Sequence, residues 1–131
     1  MLVVVAGSEL SEKDVVVVIY LSGAMRGIPR YNFPAFDRVA YVLRMEGHTV
    51  LSPADIDRQF GFDAMNLPVD HNCDGIPEGF DFKACVRRDI EAVLSCDKVV
   101  MLPGWEHSKG AKSEKALAEW IGVIVEEWNR E

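Results

Sequence analysis

The chain has 131 residues, the length of one domain and enough to bury a core without a disulfide or metal staple. Hydrophobic residues at 49% and charged residues at 27% exclude wholesale disorder and collagen-like repeats. With 14 Lys+Arg against 21 Asp+Glu, the net charge of −7 argues against a polymeric nucleic-acid partner, whose phosphates need basic neutralisation, yet leaves room for one small anionic ligand.

In chain order, residues 1–14 read as an extra edge strand (Met1–Ala6) with a polar connection, or as a loose arm. Val15–Leu21 (VVVVIYL) is a continuous β-branched run, the pattern of a strand buried on both faces. Ser22–Pro29 breaks it. A helix then starts near Asn32 or Phe33, with Pro34 in the first turn, where its missing N–H costs little. Phe36, Val39, Ala40, Leu43 and Met45 give its apolar stripe, and Gly47 ends it. His48–Ser52 is a short second strand. Residues 53–80, with Gly61, Pro68, Gly75, Pro77 and Gly79, form a long irregular stretch. A stretch of that length is uncommon without a function, so it reads as a short helix near Ala54–Phe60 followed by a mobile loop or lid.

Asp81–Ser95 is a helix with Phe82, Cys85, Val86, Ile90, Val93 and Leu94 inward. Asp97–Leu102 is a third strand. Ser108 caps a helix running to about Ile121, and Gly122–Glu126 is a last strand. Strands alternating with helices predict a single α/β domain over residues 1–131. The expected fold is a flavodoxin-like or Rossmann-like three-layer sandwich on a mostly parallel sheet of four to five strands.

In such a sheet ligands bind beyond the carboxyl ends of the strands. Two segments fall there. Ser22-Gly23-Ala24-Met25-Arg26-Gly27 follows the first strand. Its glycines permit close backbone approach and Arg26 offers a forked cation, although an ordinary tight turn has the same composition. Leu102 to Glu114 follows the third strand. Ser108 at the helix start, with free N–H groups and Gly110 behind it, suits a phosphate or a plain N-cap. Glu114, more than a turn further on, faces the strand ends or solvent.

Tyr20-Leu21-Ser22-Gly23-Ala24-Met25-Arg26-Gly27, then Asp89, Asp97-Lys98-Val99-Val100, Ser108 and Glu114 carry a resemblance. In combination and order they resemble the nucleoside 2′-deoxyribosyltransferase superfamily. Within it the chain is most similar to the deoxynucleoside 5′-monophosphate N-glycosidases, and it also resembles a small subfamily common in phage and bacterial genomes. The likeness runs from about Val15 to Ile124. It implies that Glu114 is the nucleophile attacking the anomeric carbon, that Asp89 assists departure of the base, and that Tyr20 orients the nucleophile. Gly23, Arg26, Gly27 and Ser108 would touch the nucleotide and its 5′-phosphate. Ala24 stands where the monophosphate hydrolases often carry a serine.

Chemistry agrees with these roles. An N-glycosidic bond breaks through an oxocarbenium-like state, which one carboxylate stabilises and captures while a second carboxyl protonates the leaving group, as in retaining glycosidases. The expected activity is therefore cleavage or transfer at the N-glycosidic bond of a (deoxy)nucleoside 5′-monophosphate or nucleoside, without a cofactor. A non-catalytic nucleotide-binding protein and a related phosphoribohydrolase are the alternatives. The family's assembly implies a homodimer or higher homo-oligomer, with an interface on residues from Phe82 to Leu94 or on the C-terminal segment.

Other candidates have plainer explanations. Asp70-His71-Asn72-Cys73-Asp74 does not match a zinc spacing, so no metal is expected. Trp105 either stacks on a base or closes its loop over the core. Trp120 and Trp128 read as core or dimer surface. Cys73, Cys85 and Cys96 cannot all pair and form no CxxC, which suggests reduced thiols in a cytoplasmic protein. No apolar run reaches the roughly 18–20 residues of a membrane span, and the opening MLVVVAG lacks the basic flank of a signal peptide.

Overall fold

The computed structural model describes residues 15–130, together with the backbone of Val4–Val5 (β1) and Ser8–Glu9 (β2). β1 and β2 pair antiparallel with each other and add no edge to the main sheet, so the expected extra edge strand does not form there. The rest of that expectation lies outside the described residues.

The main sheet contains β3 (Val18–Ser22), β4 (Thr49–Leu51), β5 (Lys98–Met101) and β6 (Ile124–Glu127), in the order β4-β3-β5-β6. All three pairings are parallel. Between the strands run α1 (Phe33–Met45), α2 (Pro53–Gln59), α3 (Phe82–Ser95) and α4 (Lys109–Ile121). This is an α/β fold of the flavodoxin-like or Rossmann-like class, with helices on both faces as the alternation predicts.

Each helix starts where its sequence permits. Pro34 and Pro53 sit in the first turns of α1 and α2. The Asp81 and Ser108 side chains accept from Ala84 N and Ala111 N at 3.1 Å each, satisfying amides that would otherwise be orphaned.

β3 is buried on both sides, so its alternate residues feed two separate cores. Ile19 and Leu21 join Phe33, Phe36, Val39, Ala40 and Leu43 of α1 in one cluster. Tyr20 joins Ala92, Val93, Val99, Met101, Ala111 and Ala118 under α3 and α4. Met45, expected in the α1 stripe, is exposed at the helix end.

The α3 stripe also differs from expectation. Cys85 and Val93 are buried with Ala92, but Phe82, Val86, Ile90 and Leu94 are exposed, Leu94 by 57%. The reason is that Asp89 lies on the inward side, so a pattern built from hydropathy alone is drawn to the neighbouring row of i, i+4 residues. Trp120 is 85% exposed and belongs to no core, whereas Trp128 packs on the α1 cluster.

Residues 60–80 are anchored. Phe62, Met65 and Leu67 pack against the α1 cluster, and Ala64 and Cys73 are buried in it. Arg58 ties α2 to this stretch and to α1, reaching Asp37 at 2.8 Å, Asp55 at 3.0 Å and Asp63 at 3.1 Å. Arg30, Tyr31 and Asn32 hold three consecutive left-handed backbone conformations, each costing ~1–2 kcal/mol in an L-residue. The turn is fastened at both ends. Tyr31 Oη donates to Gly75 O at 2.8 Å, and Asn32 Nδ2 donates to Ala24 O at 2.9 Å.

Candidate active site

Strand order reverses at β3, which has β4 on one side and β5 on the other. The crevice beyond the carboxyl ends of β3 and β5 is therefore the topological switch point, where open parallel sheets bind ligands. Ser22 and Met101 are register partners at these ends, and the loops after them touch. A Cβ on Gly23 would come within 2.9 Å of Leu102 Cβ, so glycine is what lets the first loop lie on the second.

Glu114, in the second turn of α4, points back over β3. Its two carboxylate oxygens each receive a hydroxyl: Tyr20 Oη donates to Oε2 at 2.9 Å and Ser22 Oγ donates to Oε1 at 2.6 Å. Tyr20 and Ser22 are two residues apart on one strand, so the pleat directs both to the same face. Burial pushes the Glu114 carboxyl up from its ordinary value, and the two donated hydrogen bonds oppose that rise by favouring the anion. Burial, reinforced by the Glu114 charge, raises the Tyr20 phenol well above its usual range, so Tyr20 stays a donor.

Asp89 lies beside this pair on the inward face of α3. Burial first, then the Glu114 charge, lifts its carboxyl to about 8. Its surroundings favour the protonated form, while Glu114 receives two donated hydrogen bonds that favour the anion. Burial thus raises both carboxyls, and they differ in their partners: Glu114 receives two hydroxyl hydrogens, whereas Asp89 adjoins the Cys85 thiol.

Arg26 is exposed, with its guanidinium 5.2 Å from the centroid of the Phe82 ring, and it enters no ion pair among the described residues. Gly27 has φ +82° and donates its N–H to Cys73 O at 2.7 Å, so that amide is already engaged. Ser108 caps α4 through its oxygen and keeps its hydroxyl hydrogen available to an acceptor. Gly110 is exposed in the first turn. Trp105 is half-buried against the core under α3 and α4, and its Nε1 donates to Glu127 Oε1 at 2.9 Å.

The segment from Asp70 to Asp74 is organised by its own hydrogen bonds, Asn72 Oδ1 accepting from Asp74 N at 2.7 Å. Among the described residues no three His, Cys, Asp or Glu side chains converge on a metal-sized site, and no helix is long and apolar enough to cross a membrane.

Sequence reasoning did not single out Ser22 as a Glu114 partner. The two-residue spacing from Tyr20 was the available signal. It also missed Asp57, for which no local signal exists.

The fold and this site define an open parallel α/β domain with a hydroxyl-bonded glutamate and a second buried acid at its switch point. The chain belongs to the family described as Domain of unknown function (DUF4406), which matches residues 17–127. No curated protein matches it.

Proposed function

We propose that this protein cleaves or transfers the N-glycosidic bond of a (deoxy)nucleoside 5′-monophosphate or nucleoside. The observation that carries the reading is the Glu114 carboxyl, held by Tyr20 at 2.9 Å and Ser22 at 2.6 Å, with a second buried acid, Asp89, whose pKa the Glu114 charge helps to raise. A pocket that only bound nucleotides would gain nothing from burying two acids together at a cost in desolvation.

In this reading a Glu114 oxygen attacks C1′ and forms a glycosyl ester. The C1′–N bond breaks, its electron pair leaves with the base, and Asp89 supplies the base with a proton. Water, or a second base, then attacks C1′. Its proton goes to the Asp89 carboxylate, the ester bond breaks, and Glu114 is free again. Arg26 and the Ser108 hydroxyl supply charge-assisted bonds to a 5′-phosphate. Three free, buried cysteines fit a reducing compartment such as the cytoplasm.

The same reading takes the chain as a homodimer. The exposed row Phe82, Val86, Ile90 and Leu94 lies on the helix that carries Asp89, and a two-fold pairing of that helix with a second copy would cover it. Such an interface would bury at least ~1,000 Å² in total.

The test is a panel of nucleotides and nucleosides, with free base followed by chromatography. The wild-type protein is expected to release base from at least one (deoxy)nucleoside 5′-monophosphate. Glu114→Gln should slow release at least ~10³-fold while the protein stays folded. Base release by the Gln variant at the wild-type rate overturns the nucleophile, and no release from any member overturns the activity.

A further inference from the structure

A second buried acid lies behind Asp89 and takes no part in the reaction above. Asp57, on α2, is 5% exposed and forms no ion pair among the described residues, although Arg58 beside it reaches three other aspartates. Its Oδ1 lies 3.6 Å from Cys85 Sγ, and the same sulfur lies 3.7 Å from Asp89 Oδ2. A thiol has a single hydrogen. It can serve one carboxyl only. At the other contact a carboxylate would face sulfur lone pairs, unless that carboxyl is protonated and donates to the sulfur itself. The row Asp57–Cys85–Asp89 is therefore satisfied when one of its two acids holds a proton.

The surroundings decide which acid that is. Asp89 is faced by Glu114 from α4, Tyr20 from β3, Asp57 from α2, and Cys85 and Arg88 from its own helix. Arg88 is the one cation in this set. Its guanidinium lies 3.9 Å from the centroid of the Phe60 ring, and its buried Nε has no partner. Asp57 lacks the Glu114 charge among the influences that raise it.

We infer that Asp57 is a positioning residue that, through the Cys85 thiol, keeps the proton on Asp89. Ionised Asp57 takes the thiol hydrogen, so that hydrogen is not available to stabilise an Asp89 anion, and its charge opposes a second anion nearby. Burial, the largest influence on both acids, raises Asp57 to about 6 and Asp89 to about 8, which agrees with one proton on the pair at neutral pH, carried by Asp89. Burial and the two carboxyls likewise push the Cys85 thiol far up, so it remains a donor. The inference rests on the reading of Asp89 as the acid that protonates the leaving base.

The test is a titration of the free protein, labelled with 13C at aspartate carboxyls and followed by NMR, so it needs no turnover. In the wild type the Asp89 resonance should titrate with a midpoint above neutrality and a second inflection where Asp57 titrates, as coupled groups do. In Asp57→Asn, which keeps the shape and removes the charge, the inflection at the Asp57 midpoint should vanish and the Asp89 midpoint should fall by about one pH unit or more. The alkaline limb of base release should move down by the same amount with KM unchanged.

An Asp89 midpoint that is the same in Asp57→Asn overturns the inference. So does a wild-type curve with no inflection at the Asp57 midpoint, a reading that needs no variant to fold. If Asp89 shifts as expected and no substrate releases base, the proposed activity fails while the hold of Asp57 on Asp89 stands. If base is released and Asp89 does not move, the inference alone fails.

Discussion

The two faces of strand β3 carry opposite chemistry. Toward α1 the strand presents Ile19 and Leu21, which meet Phe33, Phe36, Val39 and Leu43 in a dry apolar layer. Toward α3 and α4 it presents Tyr20 and Ser22, whose hydroxyls both reach Glu114. On that side Ala92, Ala111 and Ala118 stand among Val93, Val99 and Met101, and their small side chains leave room beneath the helices for polar groups. One face supplies stability through shape and apolar area, and the other uses part of that stability to hold polar groups out of water. A five-residue strand can do both because its side chains alternate.

Three substitutions separate these roles. The largest effect should come from Leu43→Ala, on the α1 face and away from the crevice. It is expected to lower the unfolding free energy by about 2–5 kcal/mol, measured by denaturant titration, and to leave kcat for base release unchanged below the unfolding transition. A loss of turnover in the folded variant would mean that the two faces are not independent.

Next is Arg26→Ala, in the loop that follows β3. Losing one charge-assisted contact to a phosphate is worth roughly 1.5–3 kcal/mol, so kcat/KM for a 5′-monophosphate should fall about 10–100-fold, while the matching nucleoside changes little. Equal losses on both substrates would give Arg26 a structural part, through its stacking on Phe82, in place of phosphate recognition.

The smallest effect concerns the outer side of α3. Leu94→Lys places a charge on the exposed row without touching Asp89. Light scattering should show weaker self-association by about tenfold or more, with the unfolding temperature of the dilute protein little changed. A wild-type protein that is already a monomer at micromolar concentration would remove the homodimer and leave closure of the crevice to residues 60–80.

The order of strands and helices was legible in the sequence because it rests on short-range rules. A β-branched run marked β3, Pro34 and Ser108 marked helix starts, and alternation of strand and helix implied parallel crossovers. Glu114, Asp89 and Tyr20 came from a family likeness, and the structure brings them to one crevice. The inward side of α3 was misread, since a helix whose buried face includes an aspartate has no clean apolar stripe. Ser22 was within reach of local reasoning, two residues from Tyr20 on the same face.

Cys85 was read as inward on α3, but its pairing with Asp57 was not legible. They stand 28 residues apart on α2 and α3, and neither is unusual among its neighbours in the chain. Hydropathy period and turn chemistry are properties of a few consecutive residues, so they carry through to elements and their order. Which carboxyl shares a thiol with which, and therefore which acid keeps its proton, depends on burial and on charges brought together from separate elements, and those exist only once the helices have closed over the sheet.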